Sequence, residues 1–353
     1  MRVQKRLGIL TSGGDCPGLN AVIRAVVSSA TQNCDWEVLG IPYATQGLLE
    51  RQVIPLHMHS FDLRGIDPLL SMGGTILGTI NQGNTLACVD QIIASYQALE
   101  LDALIGIGGD GSIAILSQLA LQGNWQFIAI PKTIDNDIAL TERAIGFDTA
   151  VNTITDALNR LTFTAASHDR VMVVEVMGRE AGHLALHSGI AGGADVILIP
   201  EIPYSIQAVC RHLTELRDRW HRRFAIVVVA EGINPAPDTN YLHNQKLTCG
   251  KGQYIADCIT KCSTYPVDTR VSVLGHIQRG GIPSALDRLT AAAFGKTAVD
   301  LIAKGQSNQM VAWQHGQVVV VPIEQVCKFS PLAVAPQSDL VQTARALGIY
   351  VGD

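Results

Sequence analysis

Three short apolar runs, Leu7 to Leu10, Ala103 to Ile107 and Phe127 to Ile130, each break off into a polar loop, and this repetition constrains the fold more than any other feature. The loops read Thr11-Ser12-Gly13-Gly14-Asp15, Gly108-Gly109-Asp110-Gly111-Ser112 and Pro131-Lys132-Thr133-Ile134-Asp135-Asn136-Asp137. Behind the first two come segments with apolar residues at helical spacing, Leu19 to Ala30 and a run through Leu121. Strand, loop and helix in alternation predict a parallel, doubly wound α/β sheet. Ligands of such sheets bind at the carboxyl ends of the strands, where all three loops fall. Any one loop alone is equally a surface turn, because Asp, Asn and Thr hydrogen-bond their own backbone.

Glu37 to Ile41 reads as another strand and Ile92 to Glu100 as a helix, while the glycine-dense, uncharged Ser71 to Thr79 reads as a mobile loop. Asp148 reads as the N-cap of a helix, and the domain change is placed near Gly146. A second alternating series follows: strand Val171 to Val176, loop Met177-Gly178-Arg179, helix His183 to Ala191, strand Val196 to Ile199, helix Ser205 to Arg219 and strand Ala225 to Ala230, ending in Glu231-Gly232. Then come helix Tyr254 to Cys262, strand Thr269 to Leu274, the loop Gly275-His276-Ile277-Gln278-Arg279-Gly280-Gly281 and helix Ala285 to Ala303. A hairpin over Val311 to Val321 and a helix over Ser338 to Leu347 close the chain. With 353 residues, two hydrophobic cores are expected.

A net charge of −5 and the lack of a Lys/Arg block exclude nucleic acid as a partner. An anionic ligand must then be held by a few placed arginines and backbone N–H groups. The eight cysteines are scattered, the pattern of reduced, buried thiols in a cytoplasmic protein; Cys258 and Cys262 have i,i+4 spacing but no clustered histidines or second pair. The N-terminal apolar segment is too short for a signal or a membrane span.

These residues suit phosphoryl transfer, which needs neutralised phosphate charge, in-line placement and a base near the acceptor hydroxyl. Asp110 between glycines suits Mg²⁺, an ion that takes one or two carboxylates plus phosphate oxygens. Asp135 is the candidate base. Thr133 and backbone N–H groups would steady the transferred group, with Asp137 in support. Arg170, Arg179, Arg270 and Arg279 flank strands in the second half, where guanidinium forks grip phosphate. His276, at a strand end three residues before Arg279, reads as a ligand-binding residue.

Taken together and in order, Gly13-Gly14-Asp15-Cys16-Pro17-Gly18-Leu19-Asn20, Gly108 to Ser112, Pro131 to Asp137, Met177-Gly178-Arg179 and Gly275 to Gly281 resemble the bacterial 6-phosphofructokinase family across nearly the whole chain. The resemblance implies two doubly wound three-layer α/β/α domains of the phosphofructokinase type. One, 1–146 plus 278–306, would bind the phosphoryl donor; the other, 147–277 plus 307–353, would bind fructose 6-phosphate. It implies transfer from ATP to O1 of the sugar, with Asp135 as base, Thr133, Asp137 and Arg179 assisting, and Mg²⁺ at Asp110. Gly14, Gly109, Asp110, Gly111 and Ser112 would hold the nucleotide. Thr133, Ile134, Asp135, Met177, Gly178, Arg179, Glu231, His276, Ile277, Gln278 and Arg279 would hold the sugar phosphate. Arg170 and Arg270 match positions that reach a neighbouring subunit's site, so a homotetramer, or a dimer, is expected.

Within this family Gly111 marks ATP users, while Lys132 is the residue common in pyrophosphate users, a pairing that resembles the mixed-substrate branch. Asn81 stands where an arginine is expected, and Ser28 and Thr162, beside a retained Arg24, alter the effector pocket. The alternatives are a pyrophosphate-dependent enzyme and a non-catalytic sugar-phosphate sensor.

Overall fold

The structure, a computed structural model, describes residues 4–60, 62, 64–79, 85–237 and 250–352. In chain order its elements begin with β1 (Arg6–Thr11), α1 (Leu19–Cys34), β2 (Glu37–Ile41), α2 (Thr45–Glu50), β3 (Ile54–Leu56), α3 (Val89–Ala98), β4 (Ala103–Gly108), α4 (Asp110–Gly123), β5 (Gln126–Thr133), β6 (Ile145–Gly146) and α5 (Phe147–Ser167). They continue with β7 (Arg170–Val176), α6 (His183–Ala191), β8 (Val196–Leu198), α7 (Ile206–Trp220), β9 (Ala225–Ala230), α8 (Lys251–Cys262) and β10 (Asp268–Val273). The last are α9 (Ala285–Ala303), β11 (Gln309–Gln314), β12 (Gln317–Pro322), α10 (Ile323–Phe329) and α11 (Asp339–Ala346). The chain forms two compact units, Met1–Thr149 with Arg279–Leu332, and Ala150–Gln278 with Ala333–Asp353.

In the first unit the strand order is β12-β11-β5-β4-β1-β2-β3, with β6 beside the end of β5. β1 pairs in parallel with both β2 and β4, so the chain leaves β1 to one side and later returns on the other. That reversal is a switch point, and the loops after β1 and β4 lie on it. β1 and β4 are buried nearly throughout, as continuous apolar runs in a sheet covered on both faces must be. The second unit holds a parallel sheet in the order β10-β7-β9-β8, extended by a bridge from Val196 to Tyr350. Ser205 caps α7 by accepting from the Ala208 N–H at 3.3 Å.

Several expectations are corrected. β5 does not stop at its proline: Pro131 pairs with Gly108 of β4, and Lys132 and Thr133 are held in register with Ile145 and Gly146 of β6, so the loop starts at Ile134. Asp110 opens α4 rather than preceding it in a loop. Asp148 lies in the first turn of α5, accepting from the Ser284 hydroxyl at 2.6 Å, and is not an N-cap. The segment 307–332 belongs to the first unit, not the second, because β11 adds to its sheet in parallel with β5. Ser71 to Thr79 is tied down: Asn20 donates to the carbonyls of Met72 and Gly73 and accepts from the Ile76 N–H, while Thr11 donates to Gly78 O at 2.7 Å. Of the seven described cysteines, three are buried and Cys327 is exposed. None of the described helices is long and apolar enough to cross a membrane.

Candidate active site

In the first unit the loop after β1 is shaped by glycine and by two cations. Gly13 has φ of 84°, a left-handed conformation that strains other residues. The Lys132 ammonium, 3% exposed, donates to Gly14 O, and Arg279 Nη1 donates to Asp15 O at 3.1 Å. Burial pulls the Lys132 pKa down, and Arg279 adds to that, against Cys16, Asp135 and Asp15. Cys16 is buried, its thiol pushed up to about 12 by burial and donating to Ile145 O at 3.3 Å.

The second loop is a helix start. Gly109, extended at φ −78°, precedes Asp110, Gly111 and Ser112 in the first turn of α4. The unpaired N–H groups of such a turn and the positive end of the helix dipole together favour phosphate. A side chain at Gly108 would meet Ser112 Cβ at 2.7 Å, whereas one at exposed Gly111 would meet nothing within 4 Å. Glycine at 111 is therefore not a packing requirement; it leaves space outside the helix.

At the end of β5, Thr133 Oγ1 accepts from the Asp135 N–H at 3.0 Å. Asn136 follows in the left-handed region at φ 52°, its amide clamped between Glu142 O at 3.2 Å and the Ala144 N–H at 3.0 Å. Asp135 and Asp137 are both buried, and Leu332 N–H donates to Asp137 O at 2.6 Å. Ile134 is buried in the core, so only its backbone can meet a ligand.

In the second unit, the loops after β7, β9 and β10 carry the remaining candidates. Arg179 is exposed and sits at φ 51°, and its N–H donates to Glu231 Oε1 at 2.9 Å. Strain in a non-glycine residue of this kind costs on the order of 1 to 3 kcal/mol and is retained where neighbours enforce it. Here Gly232 is the enforcer, since a Cβ there would lie 2.0 Å from Arg179 O. Gly178, at φ 136°, is equally fixed by Ala181 O. Gln278 is fully buried and accepts from the Met177 N–H at 3.1 Å while donating to Gly275 O at 2.9 Å, so it joins two loops and its side chain is already engaged. His276 and Ile277 are exposed.

Three of the four arginines, Arg170, Arg179 and Arg270, lie in the second unit. Arg170 pairs with Asp268 at 2.7 Å, and Arg270 pairs with the same carboxylate, whose pKa these partners lower. Arg179 lies on the loop after β7, and Arg279 belongs to the first unit. Asn81 lies outside the described residues. One residue had no signal in the sequence: buried Asp287, which accepts from the N–H groups of Gly146 at 3.0 Å and Thr149 at 2.9 Å and from the Thr149 hydroxyl. It fixes the turn from β6 into α5.

Glycine-shaped loops at a switch point, a helix start open to phosphate and a buried carboxylate at the end of β5 define an α/β protein built to handle phosphate. The phosphofructokinase family matches residues 6–302, and the chain belongs to that family. It is 72% identical over 99% of its length, and 99% of the relative's, to an ATP-dependent 6-phosphofructokinase 2 from Nostoc sp.. It is 64% identical over 99% of its length, and 94% of the relative's, to an ATP-dependent 6-phosphofructokinase from Thermosynechococcus vestitus. A pyrophosphate-dependent phosphofructokinase structure from Nitrosospira multiformis covers 99% of this chain and 93% of its own, with TM-score 0.83 and 22% identity, a likeness of fold.

Proposed function

We propose that the chain transfers the terminal phosphoryl group of ATP to the O1 hydroxyl of fructose 6-phosphate, giving fructose 1,6-bisphosphate in glycolysis. The observation that carries the choice of donor is the open space at Gly111, beside the phosphate-favouring start of α4. A carboxylate there would occupy and repel what a nucleotide's phosphates need. The names of the Nostoc and Thermosynechococcus relatives support the same donor.

In this reading Asp135 takes the proton of the O1 hydroxyl, a role worth about 10²- to 10⁴-fold. Its position depends on Thr133 and on the clamped Asn136. Gly14, Gly109, Gly111 and Ser112 bind the donor through the β1 loop and the α4 start. Asp110 suits Mg²⁺: it is a partly exposed carboxylate between two glycines, and such an ion completes its shell with substrate phosphate oxygens. When bound, the ion would neutralise phosphate charge. On the second unit, Arg179, Glu231 and His276 bind the sugar phosphate with the backbone of Met177 and Gly178, and Gln278 holds that loop in place. Arg170 and exposed Arg270 serve a neighbouring subunit in a cytoplasmic homotetramer.

The test is a coupled assay on the purified protein with ATP or pyrophosphate as the sole donor. ATP-dependent formation of fructose 1,6-bisphosphate is expected. Robust turnover with pyrophosphate alone would overturn the donor, and turnover with neither would leave a sugar-phosphate sensor.

A further inference from the structure

Lys132, near the end of β5, has a structural setting that departs from what its charge suggests. Its ammonium does not project into solvent. It is buried and donates to Gly14 O, and a Cβ at Gly13 would lie 3.2 Å from Nζ. Arg279 Nη1 engages the next carbonyl along, Asp15 O, at 3.1 Å. Two consecutive carbonyls of the β1 loop are thus each held by a cation.

A peptide unit is planar and trans, so its C=O and N–H point in opposite directions. Holding Gly14 O against Lys132 turns the Asp15 N–H away from Lys132, and holding Asp15 O against Arg279 does the same for the Cys16 N–H. Neither amide donates to another described residue. Gly13 in the left-handed region, next to these residues, supplies the backbone curvature with which successive N–H groups form an anion-binding concavity.

We propose that Lys132, with Arg279, is a positioning residue that aims the Asp15 and Cys16 amides at a donor phosphate, and that it acts through Gly14 O rather than by touching the transferred group. The proposal rests on the reading of the chain as an ATP-dependent phosphotransferase. It predicts that removing the ammonium weakens donor binding specifically. A contact with the transferred phosphate would lower turnover instead.

The experiment is steady-state kinetics of Lys132→Met, with ATP and fructose 6-phosphate varied separately. Since a lost charge-assisted hydrogen bond is worth about tenfold or more in affinity, the ATP KM is expected to rise at least about tenfold while the fructose 6-phosphate KM stays within about twofold. A fall in kcat with unchanged ATP KM would overturn the positioning role, as would kinetics like those of the unsubstituted enzyme. Absence of ATP-dependent activity in the unsubstituted enzyme would instead defeat the functional reading beneath it. If Lys132→Met does not fold, hydrogen exchange on the unsubstituted enzyme decides: a non-hydrolysable ATP analogue should slow exchange of the Asp15 and Cys16 amides by about tenfold. Unchanged exchange would refute the proposal.

Discussion

The Asp135 N–H donates to Thr133 Oγ1 at 3.0 Å, so hydroxyl and carboxylate leave the end of β5 as one local turn rather than as two independent side chains. β6 fixes Thr133 from the other side through its register with Gly146. The candidate base is therefore set by strand geometry.

Asp135→Asn should lower kcat by about 10²- to 10⁴-fold, because the amide keeps the shape and loses the proton acceptor. Fructose 6-phosphate binding by calorimetry should change little. Retained turnover would show that the base lies elsewhere. Thr133→Val should produce a smaller loss, on the order of tenfold, by freeing the turn that carries the carboxylate.

Gly111→Asp separates folding from donor choice. The site has no neighbour within 4 Å of the new Cβ, and an acidic residue in the first turn of a helix is favoured by the dipole. Thermal denaturation should therefore shift by no more than about 2 °C, as for a surface change of about 0.5 kcal/mol or less. The ATP KM should nevertheless rise by at least about tenfold, roughly 1.4 kcal/mol of lost donor affinity. An unchanged KM would mean that the space at 111 is not used by the donor.

The sequence carried most of the scaffold. α6 and α9 begin and end where helical spacing places them, and β2 and β9 match their apolar runs, because buried parallel strands leave little choice of residue. The elements it did not reveal are short or broken by proline. β3 is Ile54-Pro55-Leu56 at a sheet edge, the position where proline is tolerated, and seven-residue α10 is too brief to display a period. In the candidate site, the motif residues were legible but their division of labour was not. Gln278 sits in the same motif as His276, yet it is buried and spans two loops while His276 is exposed. Asp287 meets Gly146 across 141 residues of chain, a contact that no local pattern encodes. Lys132, legible in the sequence only as a mark of donor type, is buried and donates to Gly14 O, a contact between β5 and the β1 loop that no local pattern encodes.

His187, on α6, gives the pH dependence. Burial, with His183 adding to it, lowers its pKa from 6.5 to about 4. The folded state therefore resists a proton that the unfolded chain accepts. Above pH 6.5 neither state is protonated and the full stability is present. As the pH falls from 6.5 towards about 4, the unfolded chain takes up the proton first, and stability is lost at up to about 1.4 kcal/mol per unit. Between pH 7 and pH 5 the cost is on the order of 2 kcal/mol. His187→Gln, which cannot be protonated, should show a correspondingly smaller drop in unfolding free energy over that interval, measured by urea denaturation at both pH values. Equal drops in the two proteins would mean that another group controls acid stability.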